Sequence, residues 1–131
     1  MVDITPLLPG GRQVIESYGG GGFRVSGQRL EGSILVLPDR TLGWPVAQFA
    51  EITLQNLAPL FESAPAAGEL RAELLLIGCG ARLQLLPGDL RRALRAQGLV
   101  CEAMDTGAAC RTYNVLLAEG RAVAAALVAV N

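Results

Sequence analysis

The sequence predicts an α/β fold: one three-layer domain, residues 1–131, with a mixed central sheet and helices on its faces. Three observations point there. The second half alternates strand, helix, strand, helix, strand, an order that places helices against a sheet. The run Ser33-Ile34-Leu35-Val36-Leu37 is apolar almost throughout, as in a strand covered on both faces. The 131 residues, 51% hydrophobic and 18% charged, suit one globular core that needs no metal or disulfide to stabilise it.

The elements follow in chain order. Residues 1–11 are rich in Pro and Gly and read as a loose lead-in. A strand is expected over 12–18, ended by the four glycines Gly19 to Gly22. A phosphate loop would require a following Lys-Ser/Thr and a helix start; neither is present, so the run reads as a turn. Residues 23–26 and 29–37 form a hairpin pattern around Gly27-Gln28, and Pro38-Asp39 supplies the next turn. A short strand over 41–47 carries Trp44, and Pro45 demotes it to an edge or irregular piece. Trp44 reads as a packing residue, with a partner anchor as the alternative. Thr53 caps a short helix reaching 61, although Pro59 moves its start toward Leu57. Small residues over 63–68 form a linker loop.

A strand over 73–77 ends at Gly78-Cys79-Gly80. The helix over 87–97 has Pro87 in its first turn and Gly98 at its C-terminal cap. Leu90, Ala93, Leu94 and Gln97 lie near one face of it, with Arg91, Arg92 and Arg95 directed away. A strand over 99–104 leads to Asp105 or Thr106, either of which caps a helix running to 119 before Gly120. Cys110, Tyr113, Asn114 and Leu117 share one stripe of that helix. The final strand spans 121–130.

Composition excludes several chemistries. Without histidine there is no Ser-His or Cys-His catalysis and no His metal site. Without lysine there is no Schiff base and no P-loop cation. All eleven positive charges are arginine, and the net charge of −1 gives no basic excess to attract nucleic acid. Three cysteines without paired spacing fit a reducing, cytoplasmic setting. No signal peptide is read at the N-terminus. The nine apolar residues of 122–130 fall short of the roughly 20 that a membrane helix needs, so no direct membrane insertion is expected.

Four groups imitate functional motifs. Gly78 and Gly80 fit two positions of a dinucleotide fingerprint, but the third is Leu83 and helix signals begin only near Pro87. Asp105-Thr106-Gly107 imitates the aspartic protease triplet, yet only 24 residues follow it, and they read as helix and strand. As a helix cap the same residues need no further explanation. Cys79 and Cys110 would approach each other if their strand ends are adjacent; without a CxxC they read as small buried residues, as does Cys101. Arg111, Thr112, Tyr113 and Asn114 either satisfy one another and the backbone or present a patch with Arg111 as its strong donor.

The residues also carry a resemblance. Leu74-Leu75-Leu76-Ile77-Gly78-Cys79-Gly80, Met104 to Asn114 and Leu116-Leu117-Ala118-Glu119-Gly120-Arg121-Ala122-Val123 are its main blocks. Phe23-Arg24-Val25 and Gly32-Ser33-Ile34-Leu35 complete it. From about Gly22 to Val130 the chain resembles the family of small bacterial and archaeal proteins whose mitochondrial relative is a respiratory complex I assembly factor. Members of that family often carry Gly-Thr-Gly where this chain has Gly78-Cys79-Gly80, so the resemblance implies no catalytic role for Cys79. It implies a small accessory β-sheet from the N-terminal half. It also implies a non-catalytic binding or assembly module whose partner is another protein, in respiratory-complex or membrane-protein assembly or in secretion.

The candidate surface is therefore Gly78, Cys79, Gly80, Asp105, Thr106, Arg111, Tyr113 and Asn114, with no catalytic residue, metal or cofactor assigned. The alternative is a small-molecule site or enzyme in the crevice at the ends of the 73–77 and 99–104 strands. There Asp105 would be the base, Arg111 the anion clamp and Cys79 the nucleophile.

Overall fold

A computed structural model describes residues 13–62 and 72–131. The lead-in over 1–11 and the linker over 63–68 lie outside the described residues. Two sheets are present. Strands β1 (Ile15–Gly19), β2 (Gly22–Val25) and β3 (Gln28–Glu31) form an antiparallel meander. Strands β4 (Ile34–Val36), β5 (Thr41–Gly43), β6 (Leu74–Gly78), β7 (Val100–Met104) and β8 (Val123–Leu127) form a mixed sheet in the order β5-β4-β8-β6-β7. The β8-β6-β7 ladder is parallel, and β4 joins β8 antiparallel. Among the described residues the helices are α1 (Pro59–Glu62), α2 (Gly88–Ala96) and α3 (Thr106–Ala118), with short 3-10 turns at Phe49–Glu51 and Gln55–Leu57.

The alternation of side chains along the central strands sorts the core into two layers. Leu35, Leu75, Ile77, Ala124 and Ala126 face one side and pack with Leu94 of α2, Leu60 of α1 and Trp44. Ile34, Val36, Leu76, Ala125 and Leu127 face the other and pack with Tyr113 and Leu117 of α3 and with Phe23 and Val25 of the meander. This is why β4, β6 and β8 read as unbroken apolar runs: each is buried on both faces. The α/β class, the mixed central sheet and the accessory sheet are as expected.

The structure corrects several boundaries. The pattern over 29–37 is not one strand. Gly32, with φ of +82°, turns the chain between β3 and β4, which belong to different sheets. A positive φ is unstrained only where there is no Cβ, so the break falls at the glycine. The strand expected over 41–47 ends at Gly43, because Pro45 has no N–H to continue a ladder. The expected 53–61 helix divides into the 3-10 turn at Gln55–Leu57 and α1, which begins at Pro59. Thr53 still caps, its Oγ1 accepting from the Asn56 N–H at 3.1 Å. Pro87 sits at the cap before α2 and not inside its first turn. The last strand is shorter at both ends than 121–130.

Candidate functional site

Chemistry-bearing residues gather where β6, β7 and β8 end and α3 begins. Thr106 is the hub. It is fully buried, and its hydroxyl donates to the Val128 carbonyl at 2.7 Å while accepting from the Gly80 N–H at 2.9 Å. Its own N–H donates to the Gly80 carbonyl at 2.8 Å. The Val128 N–H reaches the Gly78 carbonyl at 3.0 Å, and the Cys79 N–H reaches the Met104 carbonyl at 2.8 Å. Thr106 thus ties the chain just past β6 and β8 to the start of α3, and the Cys79–Met104 backbone bond adds the end of β7. Gly78 permits this closeness: a Cβ there would lie 3.0 Å from both Thr106 Cα and Oγ1. The glycine that imitates a nucleotide fingerprint serves backbone packing against a threonine.

Asp105 is the cap of α3. Its Oδ1 accepts from the Ala108 N–H at 2.9 Å, so a first-turn amide that would greet an anion is already engaged. Asn114 is also engaged in the fold. Its Nδ2 donates to the Ile15 carbonyl at 2.7 Å, and its Oδ1 accepts from the Ile15 N–H at 3.1 Å, an amide clamp that ties the meander to α3. Tyr113 is buried in the layer between α3 and the sheet.

All three cysteines are free thiols and buried. Burial pushes the Cys79 thiol above its ordinary value, outweighing the opposing effect of backbone hydrogen bonding at Gln84 and Met104, and the thiol donates to the Gln84 carbonyl at 3.5 Å. Burial likewise pushes Cys101 up to about 11 and Cys110 up to about 12, in the latter case despite the nearby Arg111 charge. A thiol held protonated is a poor nucleophile, so nothing here activates Cys79 or Cys110 for attack.

Arg111 differs from its neighbours by being exposed. Its Nη1 donates to the Tyr18 hydroxyl across 3.4 Å, a long contact. Tyr18 comes from β1 and rests on the first turn of α3, where a Cβ on Gly107 would lie 2.9 Å from the tyrosine Cζ. Val115, one turn beyond Arg111, is 57% exposed and Tyr18 is 42% exposed. These three form an outward face that sequence reasoning found only at Arg111. The missed signal is Gly107: a glycine in a helix start marks a close approach, here by Tyr18.

Other expectations fall elsewhere. Trp44 is buried, its Nε1 donating to the Asn56 carbonyl at 3.0 Å, so it is a packing residue and not part of an exposed patch. The glycine run holds a cation and not a phosphate: the Gly19 and Gly20 carbonyls accept from Arg29 Nη2 at 3.2 and 3.1 Å. A cleft of about 400 Å³ lies between Gly32-Ser33, the turn at Trp44 to Ala47, and Ala129. None of the eight candidate residues lines it. Among the described residues there is no cluster of acidic and cysteine side chains able to hold a metal ion, and no helix long and apolar enough to cross a membrane.

Comparison with known proteins places this geometry in a family. The model of a family described as a protein of unknown function (DUF498/DUF598) matches residues 15–128. The Xenopus tropicalis protein named NADH dehydrogenase [ubiquinone] 1 alpha subcomplex assembly factor 3 is 34% identical over 114 residues, covering 87% of this chain and 60% of the relative. The chain therefore spans about three-fifths of the length of that relative. An uncharacterized protein of Rhodobacter capsulatus is 38% identical over 126 residues, covering 95% of this chain and 92% of its own. A crystal structure from Bartonella henselae, titled an outer membrane protein, superposes with a TM-score of 0.82 at 40% identity, covering 93% of this chain and 98% of that one. The chain belongs to the DUF498/DUF598 family, and over most of its length it is similar to proteins named complex I assembly factor 3.

Proposed function

We infer that this protein is a non-catalytic binding module in the assembly of a respiratory membrane complex, working from the cytoplasm, with another protein as its partner. The observation that carries the reading is the fate of the strand-end residues. Gly78, Gly80, Thr106, Tyr113 and Asn114 are buried or bonded into the scaffold, and Asp105 caps its own helix. Arg111, beside Tyr18 and Val115, faces outward. An exposed guanidinium next to an aromatic ring and an aliphatic side chain is the composition of a protein-binding hot spot. The relatives named as complex I assembly factors supply the process. The alternative of an enzyme in the strand-end crevice has less support, because Thr106 bridges the strand ends and the Cys79 thiol stays protonated.

The test is affinity capture of the tagged chain from its own host, with Arg111→Ala and Tyr18→Ala alongside. The reading requires respiratory-complex subunits with the wild type and their loss with both variants. Capture that is equally strong with the variants would move the contact off α3. No respiratory subunit in any preparation would end the assembly reading.

A further inference from the structure

We propose that the loop over 81–87 is a peripheral membrane contact, in which Leu83 and Leu85 enter the headgroup boundary of an anionic bilayer while Arg82 and Arg92 bind its phosphate groups. The loop follows β6 and is pinned at its middle and near its end. The Cys79 thiol donates to the Gln84 carbonyl at 3.5 Å, and Leu86 is buried in the core layer beneath α2. On either side of Gln84, Leu85 is 85% exposed and Leu83 58%, the two highest values among the exposed large hydrophobic residues described. A single exposed leucine is ordinary in a folded protein. Two within three residues, on a loop pinned so that neither can reach the core, form a displayed apolar tip.

The loop together with α2 after it is the most basic stretch of the chain. Residues 81–98 contain four of the eleven arginines, Arg82, Arg91, Arg92 and Arg95, against the one acid Asp89, in a protein whose net charge is −1. Arg91 is occupied at the sheet edge, its Nη1 donating to the Cys101 carbonyl at 3.1 Å. Arg92 folds back over the start of α2: a Cβ on Gly88 would lie 3.3 Å from its Nη1. Its charge therefore sits three residues from Leu85, with Arg82 adjoining Leu83 in sequence. Guanidinium groups pair well with phosphate oxygens, and an apolar tip combined with cations is what the surface of an anionic bilayer binds.

The shape favours lipid over a protein partner. Side chains this exposed project from the surface; a protein must offer a matching pocket to bury them, whereas the acyl boundary closes around a projecting tip of any shape. A contact made by one loop is weak and reversible, and it spans nothing. It lies on different residues from the α3 face, so either reading can fail without the other.

The experiment is co-sedimentation of the intact chain with vesicles of pure phosphatidylcholine or of an equimolar mixture of phosphatidylcholine and phosphatidylglycerol. The wild type is expected to sediment with the mixed vesicles alone, and added salt should release it. The double substitution Leu83→Ser with Leu85→Ser should lower the partition coefficient about tenfold. Arg82→Gln with Arg92→Gln should lower it by a similar factor. Arg111→Ala should leave it unchanged. Fluorescence of the buried Trp44 reports that each variant is folded. Failure of the wild type to bind mixed vesicles, or undiminished binding by the folded leucine variant, would overturn the proposal.

Discussion

Thr106 shows how a residue typical of active sites can hold a fold together. Its side chain holds a donor and an acceptor from two different strand ends in a site without solvent access. Thr106→Val keeps the shape but leaves the Gly80 N–H and the Val128 carbonyl without their side-chain partner. A stability loss of about 2–4 kcal/mol is expected by urea unfolding at unchanged m-value, with Thr106→Ser losing less than half as much. The buried thiols make a second prediction. Cys101 and Cys110 ionise only near about 11 and about 12 in the folded chain, against 9.0 for the ordinary thiol. Above pH 9 the unfolded chain therefore binds fewer protons than the folded one, and stability falls as pH rises. The contribution is fully present below pH 9 and disappears as pH climbs through the folded values. Between pH 9 and 11 each thiol should contribute a slope approaching about 1.4 kcal/mol per pH unit. Urea titrations across that range check it. In Cys110→Ala the slope should shrink, and an unchanged slope would show that another group titrates.

At the scale of elements, the clamp of Asn114 on Ile15 makes α3 the support of the meander. Asn114→Ala should cost about 1–3 kcal/mol. Its effect on hydrogen exchange should be local: faster exchange in β1 to β3, with β6 and β8 nearly unchanged. Uniform acceleration would mean that the two sheets unfold as one unit. Much of this layout was legible in the sequence. Asp105 followed by an apolar stripe and Gly120 marked α3, and the apolar run at Ile34 marked a central strand. The division between β3 and β4 was not legible, because nothing in 29–37 states which sheet a strand joins. That is decided by the turn at Gly32 and by the pairing of Ile34 with Leu127, 93 residues away. The role of Asn114 was hidden for the same reason, since its partner Ile15 is 99 residues distant.

For the whole molecule, Gly78, Gly80, Thr106 and Asn114 take part in closing the fold, and two outward features stand apart from them. One face carries Tyr18, Arg111 and Val115; the 81–87 loop carries a basic apolar tip. Arg111 was legible as a candidate because a charged residue on an otherwise apolar helix stands out. Tyr18 was not, because its approach to Gly107 is a contact between β1 and α3, far apart in the sequence. Gly107→Ala tests that seat. The tyrosine tip can swing outward, so the stability change should stay below about 1 kcal/mol. The Tyr18–Arg111 contact should be lost, and partner capture should weaken with it.

The α3 face is the surface proposed to meet another protein. The most direct measurement places a photo-crosslinking amino acid at Val115, and in a control chain at Glu31 of β3, in the native host. A discrete crosslinked product at Val115 containing a subunit of the respiratory complex, with none at Glu31, is the expected result. Equal products at both positions, or none at Val115 while capture of that subunit persists, would contradict it.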